Sequence, residues 1–200
     1  MPFSASVFDE AIKQLVAKMA PSSVLDIGPG AGKYGKIVNA LRSEGVGIDR
    51  LAALEVDAQY IEHFELGKIY DEVRSGNAAD LPDTRSDETF DLVILGDVLE
   101  HLRKSDGLDL IDFLYYRVKY MLLVIPIDYV QGAWGGHPHE AHISTWYPED
   151  FDRYKALYVQ VNLSDHPPIC LVMINGLRTV IDRDFIFSTD AASAVPSLFS

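Results

Sequence analysis

Short apolar runs alternate with amphipathic segments along most of the chain. Five runs have the length of strands, and most are apolar enough to be buried: 24–27, 51–55, 72–74, 91–95 and 121–125. Four further segments space their apolar residues as helices do: 8–19, 33–41, 59–66 and 105–118. We expect Ser105 to cap the last of these helices. Because strands and helices alternate, the pattern predicts a parallel sheet with helices on both faces.

The pattern changes near the end of the chain. Two predicted strands, 158–163 and 169–174, are separated by Ser-Asp-His-Pro-Pro. This connection is too short for a crossover helix, so the two strands must be antiparallel. Before them, Pro148 suits the first turn of another helix. The predicted fold is therefore α/β: a Rossmann-like, doubly wound, seven-stranded sheet, mostly parallel, with an antiparallel C-terminal hairpin.

Length and composition predict one domain. A chain of 200 residues with 48% hydrophobic and 24% charged residues is typical of a folded globule. We assign residues 1–176 to a single domain with an N-terminal helix. Residues 177–200 are a C-terminal extension, in which 185–187 is a candidate edge strand before a loose tail.

Charge and cysteine content limit which binding partners and which cellular location we expect. Seventeen basic against thirty acidic residues give a net charge of −13, which repels nucleic-acid backbones, so we expect no nucleic-acid partner. No apolar run reaches the ~18 residues that span a bilayer, and no secretory signal pattern is present, so we expect no membrane association. The single cysteine, Cys170, excludes an intrachain disulfide. A cytoplasmic location is the expectation.

A glycine-rich turn after the first predicted strand carries the strongest chemical signal. A simple turn needs only one glycine, whereas alternating glycines indicate that a ligand approaches the backbone closely. A phosphate-binding loop is disfavoured, because Ile27 and Tyr34 occupy the places of its first glycine and its hydroxyl residue. A dinucleotide-binding fingerprint fits only from Gly30 to Gly35, two residues late, and it stays open as an alternative.

A third interpretation covers more of the chain. Asp26, Gly28, Gly30 and Gly32 form the pattern D-x-G-x-G-x-G, which resembles the first motif of class I S-adenosylmethionine-dependent methyltransferases. The resemblance extends over about residues 22–175. Residues 76–82 are similar to the family's G-D-A-x-x-L-P segment, and residues 90–102 to its fourth strand with the continuation L-E-H-L. The terminal hairpin corresponds to the family's sixth and seventh strands.

The resemblance implies S-adenosylmethionine as the cofactor and a set of residues that bind it. Glu55, at the end of the second strand, would accept both ribose hydroxyls, and Val56 would lie beside the adenine. Asn77 stands where the family has an aspartate that bonds the adenine amino group. The cofactor-binding residues are predicted to be Asp26, Gly28, Gly30, Gly32, Glu55, Val56, Asn77, Ala78, Gly96 and Asp97. One alternative stays open, in which Glu55 is an exposed acid at the end of the strand. Asp57 is the adjacent candidate for the ribose contact.

Two segments are candidates for chemistry, because ligands of such sheets bind beyond the carboxyl ends of the strands. After the fourth strand, His101 is the predicted general base and Asp97 its catalytic neighbour, although His101 could equally pack or cap the next helix. After the fifth strand, a loop over 128–146 is predicted to move and cover the substrate. Its substrate-contacting residues are predicted to be Trp134, His137, His139 and His142.

The same loop contains residues that could bind a metal. Its three histidines and Glu140 are suitable ligands, but no helical pair and no cysteine supports the arrangement, so we expect no metal. The sequence thus predicts methyl transfer from S-adenosylmethionine to a small-molecule acceptor, such as a sugar or another metabolite. The alternatives are an NAD-type oxidoreductase and a non-catalytic adenosyl-binding module.

Overall fold

The fold is described from a computed structural model, which describes residues 5–84, 86–133, 136–154, 156–164 and 167–178. Its strands are β1 (Ser23–Ile27), β2 (Arg50–Glu55), β3 (Glu72–Ser75), β4 (Phe90–Gly96), β5 (Val118–Pro126), β6 (Tyr158–Asn162) and β7 (Ile169–Asn175). Its α-helices are α1 (Asp9–Met19), α2 (Lys33–Ser43), α3 (Ala58–His63) and α4 (Lys104–Tyr115).

All these strands belong to one sheet, in the order β3-β2-β1-β4-β5-β7-β6. Strands β1 to β5 are parallel, whereas β7 pairs antiparallel with both β5 and β6. This confirms the predicted fold class. Ile27 lies opposite Leu54 of β2 and Leu95 of β4, so the segments that follow β1, β2 and β4 begin side by side. They meet where the strand order reverses, which is where doubly wound sheets bind ligands.

Each face of the sheet buries a separate apolar layer. Leu92 and Ile94 of β4 pack in the layer that contains α1 and α2. The alternate residues, Val93 and Leu95, pack in the layer with α4, Trp146 and Phe151. The alternation follows from the twofold side-chain period of a strand, and the continuous apolar run Leu92–Leu95 is what a strand covered on both faces requires.

One local prediction, the Ser105 cap, is wrong. Helix α4 begins at Lys104 with Arg103 at the N-cap, and the Ser105 hydroxyl donates to the Asp106 carboxylate at 3.0 Å instead of capping the helix. Gly107 N–H already bonds to Arg103 C=O, so the helix is entered before Ser105. The helix predicted at Pro148 is present as a 3-10 helix, Pro148–Tyr154, in which the period of three places the buried Phe151 and Tyr154 on one side.

The candidate edge strand at 185–187, and the extension beyond residue 178, lie outside the described residues. Within the described residues, no helix combines the length and the apolar character that crossing a membrane requires.

Candidate active site

A cleft of about 150 Å³ opens at the carboxyl ends of β1, β2 and β4. Its wall combines backbone from the glycine turn with side chains from the segments that follow the three strands. Most of the predicted site residues line it: Gly28, Gly30, Glu55, Val56, Asn77, Ala78, Gly96, Asp97, His101, His137 and His139. Asp26, Gly32 and His142 do not line it.

The glycine turn is held in a conformation that glycine tolerates best. Gly28, Gly30 and Gly32 have φ angles of 67°, 50° and 74°. Gly28 N–H donates to Leu54 C=O at 2.8 Å, which fixes the turn against β2. A Cβ on Gly28 would lie 2.7 Å from Val98 Cγ2 in the wall of the cleft, so this glycine keeps the cleft open.

Gly32 serves packing instead. It is the N-cap residue of α2, and a Cβ there would lie 2.6 Å from Ile69 Cδ1. The alternating glycines therefore face different surroundings. Gly28 faces the cleft, whereas Gly32 faces the apolar layer beside α2.

Glu55 ends β2 with a side chain that is almost fully buried. Its Oε2 accepts a hydrogen bond from Gly30 N–H at 3.2 Å, and its Oε1 accepts one from Asp57 N–H at 3.0 Å. Burial raises the pKa of the Glu55 carboxyl, and the backbone donors of Asp57 and Gly30 oppose that rise. Each oxygen keeps a further lone pair, so the carboxylate can still accept hydrogen bonds from a ligand.

Asp26 lies beneath the glycine turn, where it has no solvent exposure. The Tyr70 hydroxyl donates to Asp26 Oδ2 at 2.5 Å and accepts from Gly35 N–H at 3.2 Å. Burial raises the pKa of Asp26 to about 7. Asp26 therefore connects β1 with Tyr70, which in turn contacts α2. The sequence predicted that Asp26 binds the cofactor, but Asp26 does not line the cleft.

The part of the cleft predicted to bind the adenine combines apolar and polar side chains. Val56 is 38% exposed and presents an apolar side chain to the cleft. The side-chain oxygen of Asn77 accepts from Ala79 N–H at 3.0 Å and so turns the chain into the 3-10 helix Ala78–Thr84. That oxygen has a second lone pair, which is the acceptor that the sequence analysis required of this position.

Polar side chains gather beyond β4. Asp97 has a φ angle of 55° and its N–H donates to Val124 C=O at 2.8 Å. The next turn, Leu99–His101, buries Glu100 and directs His101 to the cleft. Burial lowers the pKa of His101 to about 4, so its ring is neutral at pH 7.

The segment after β5 crosses the mouth of the cleft. His137 Nδ1 lies 2.6 Å from Asp57 Oδ2, and the Tyr60 hydroxyl donates to Glu140 Oε1 at 2.9 Å. His139 is exposed, and Trp134 lies outside the described residues, so its predicted role stays a prediction. Sequence reasoning missed Tyr60, because its only signal was an apolar position in a helix.

Comparison with known proteins finds one matching family model. Residues 25–112 match the family model described as a methyltransferase domain, which spans β1 to the middle of α4 and includes Glu55 and His101. No curated protein matches the chain. The residues that match the family model include most of those that line the cleft.

Solved structures share the fold at low identity. An O-methyltransferase family protein from Burkholderia thailandensis is 13% identical, with a TM-score of 0.59 over 86% of this chain and 56% of that one, so this chain spans about half of its length. The N-methyltransferase NodS from Bradyrhizobium japonicum WM9 is 15% identical, with a TM-score of 0.59 over 84% of this chain and 96% of NodS.

A SAM-dependent methyltransferase from Archaeoglobus fulgidus is 16% identical, with a TM-score of 0.56 over 84% of this chain and 94% of that one. NodS has also been solved in complex with S-adenosyl-L-homocysteine. Residues 25–112 are therefore similar to a methyltransferase domain, and the solved methyltransferase structures share the fold of this chain.

Proposed function

We propose that the cleft binds S-adenosylmethionine along the glycine turn and Glu55, and that a small-molecule acceptor enters beside His101. The observation that carries the proposal is the Glu55 carboxylate, which is buried at the end of β2 and lines the cleft beside Gly28 and Gly30. A fixed carboxylate with free lone pairs is the acceptor that a ribose diol requires.

The other walls suit the rest of the cofactor. Val56 offers an apolar surface for the adenine, and Asn77 offers a polar side chain at its edge. The bare backbone of Gly28 and Gly30 admits the amino-acid end, whose ammonium is attracted by the carboxylates around the cleft. S-adenosylmethionine supplies a methyl group on a positively charged sulfur, which makes that methyl electrophilic.

The protein's own contribution is to position the acceptor and to manage its proton. His101 Nδ1 lies 3.2 Å from the Ala141 carbonyl, which only accepts hydrogen bonds, so the proton sits on Nδ1. Nε2 then carries a lone pair and can take a proton from an acceptor hydroxyl or amine. Asp97, which also lines the cleft, holds negative charge on the same side.

A small acceptor fits the surroundings better than a polymer. The segment with His137 and Glu140 crosses the cleft and is tied to α3, which narrows the entrance. The net charge of −13 also disfavours a polyanion. A sugar or another hydroxyl- or amine-bearing metabolite has the size and neutrality that this entrance admits.

Calorimetry with S-adenosylhomocysteine and with NAD tests the cofactor assignment. We expect binding of S-adenosylhomocysteine, and Glu55→Gln should weaken it by at least about 10-fold, because two charged-acceptor bonds are lost. Binding of NAD alone would overturn the proposal. Release of S-adenosylhomocysteine across a panel of sugars, amines and phenols then tests the acceptor, and a panel without turnover would favour a binding module.

A further inference from the structure

Three potential metal ligands meet at the edge of the cleft, although they come from two separate segments. Glu100, His101 and His142 each place one ligand atom within 4.8 Å of the other two. Metal–ligand bonds of about 2.0–2.2 Å put neighbouring ligand atoms about 3 Å apart, so side-chain movements of about 1 Å close such a site. In the sequence, His142 lies among other loop histidines and far from Glu100.

Both histidines are oriented by backbone carbonyls. His101 Nδ1 lies 3.2 Å from Ala141 C=O, and His142 Nδ1 lies 3.1 Å from Tyr129 C=O. Because a carbonyl only accepts, each Nδ1 carries the ring proton and each Nε2 keeps its lone pair. A histidine that donates through one nitrogen to a carbonyl, with the other nitrogen free, has the arrangement found at metal sites.

Glu100 supplies the charge. Its side chain is 2% exposed, and neither carboxylate oxygen has a hydrogen-bond partner within the part of the chain that the structure describes. An uncompensated buried carboxylate is costly, and the nearby charge of Asp97 adds to that cost. A bound cation would offset both the cost of burying the carboxylate and its repulsion from Asp97. A metal ion would therefore explain why a carboxylate is buried at this position.

We propose that Glu100, His101 and His142 bind one divalent transition-metal ion at the acceptor end of the cleft. Two imidazoles and one carboxylate suit Mn²⁺, Fe²⁺ or Zn²⁺, and three protein ligands leave coordination positions open. His101 lines the cleft, so an open position faces the space where the acceptor would lie.

The ion would change how the acceptor loses its proton, and this consequence rests on the proposed function. An acceptor oxygen bound to a divalent cation is more acidic than a free hydroxyl. Its proton would then leave to solvent, while His101 acts as a ligand and no longer as the base. Acceptors with an oxygen that can coordinate the ion would be favoured over simple amines.

Titration of the chelator-treated full chain with Mn²⁺, followed by electron paramagnetic resonance, tests the site without cofactor or acceptor. We expect one equivalent to bind, with spin-echo modulation from two imidazole nitrogens. Glu100→Gln and His142→Gln should each weaken binding by at least about 10-fold. His63→Gln, which changes an exposed histidine outside the cluster, should bind Mn²⁺ as the unaltered chain does.

Circular dichroism and thermal unfolding of each variant separate a lost ligand from a lost fold. Mn²⁺ should raise the melting temperature of the unaltered chain and not that of Glu100→Gln. Absence of Mn²⁺ binding, or equal affinity in the ligand variants and the unaltered chain, would overturn the proposal. Calorimetry with S-adenosylhomocysteine on the same metal-free samples reports on the proposed function independently, so either failure can be recognised alone.

Discussion

His137 Nδ1 lies 2.6 Å from Asp57 Oδ2, so the segment after β5 is joined to the residue that caps α3. The same segment is joined again through Tyr60 and Glu140, whose side chains are hydrogen-bonded at 2.9 Å. The two contacts hold this segment across the cleft. If the segment opens, as the sequence predicts, both contacts with α3 must break.

Loss of the histidine contact should speed the release of the cofactor product. One hydrogen bond of this kind contributes about 1 kcal/mol, so His137→Ala should raise the dissociation rate of S-adenosylhomocysteine about 5-fold. Stopped-flow displacement measures this rate. His63→Ala, on the exposed side of α3, is the control and should leave the rate unchanged. Equal rates for both variants would show that the segment does not gate release.

A second prediction concerns the contribution of Glu55 to cofactor binding. The burial of Glu55 determines which variant should be used. An exposed strand-end role was one alternative for Glu55, but Glu55 is only 4% exposed. Glu55→Gln, which keeps the shape and two acceptor lone pairs, is therefore the suitable variant. It should weaken cofactor binding by ~1.5–3 kcal/mol in calorimetry, because charged-acceptor bonds to the ribose are lost.

The rival carboxylate gives the matched control. Asp57 Oδ1 accepts from Gln59 N–H, and Oδ2 contacts His137, so both oxygens are engaged outside the ribose. Asp57→Asn should change cofactor affinity less than Glu55→Gln does. A larger loss in Asp57→Asn would reassign the ribose contact.

The sequence predicted the order of the elements because their signals are local. The apolar runs of β1, β4 and β5 and the five-residue connection before β7 determine strand positions and the final antiparallel pair without reference to distant residues. Asp57 accepts from Gln59 N–H and caps α3, which is again a contact between neighbouring residues. Alternation and spacing are properties of neighbouring residues, so they can be read from the chain, although the N-cap of α4 is Arg103 and not the predicted Ser105.

The errors at the site arise where partners are distant in sequence. Asp26 was assigned to the cofactor, but Tyr70, 44 positions later, takes its carboxylate beneath the glycine turn. The approach of His142 to Glu100 spans a similar separation, because the segment after β5 folds back over the turn after β4. No local pattern records such contacts, so the sequence could not assign them.

The buried Asp26 should make stability depend on pH. Its pKa of about 7 in the folded state lies above its usual value of 3.8, so the folded state favours the protonated form. The contribution is full below about pH 4 and is lost as the pH rises toward 7, by an amount on the order of 4 kcal/mol. Urea unfolding between pH 4.5 and 8 should show this decline.

Asp26→Asn should remove most of that decline, because an amide keeps an acceptor for the Tyr70 hydroxyl and does not ionise. The comparison uses the difference between variant and unaltered chain at each pH, since other buried carboxyls, such as Glu100, titrate in both proteins. Parallel stability curves for the two proteins would mean that Asp26 does not titrate in this range.

Gly28 tests the requirement for a bare backbone in the turn. Gly28→Ala places a Cβ at a φ of 67° and 2.7 Å from Val98 Cγ2, whereas Gly45→Ala places one at a φ of 95° with nothing within 4 Å. Both variants should lose about 1–2 kcal/mol for the left-handed backbone. Gly28→Ala should lose about 1–3 kcal/mol more from the clash, measured by urea unfolding.

Cofactor affinity separates the two variants further, because only Gly28 lies in the wall of the cleft. Calorimetry with S-adenosylhomocysteine should show at least a 10-fold loss in Gly28→Ala, on the order of 1.4 kcal/mol, and no change in Gly45→Ala. Adding Val98→Ala to Gly28→Ala should recover stability by relieving the clash. It should not recover affinity, because the added methyl still occupies the ligand's path. Full recovery of both quantities would mean that the methyl acts only through Val98 and that no ligand approaches this backbone.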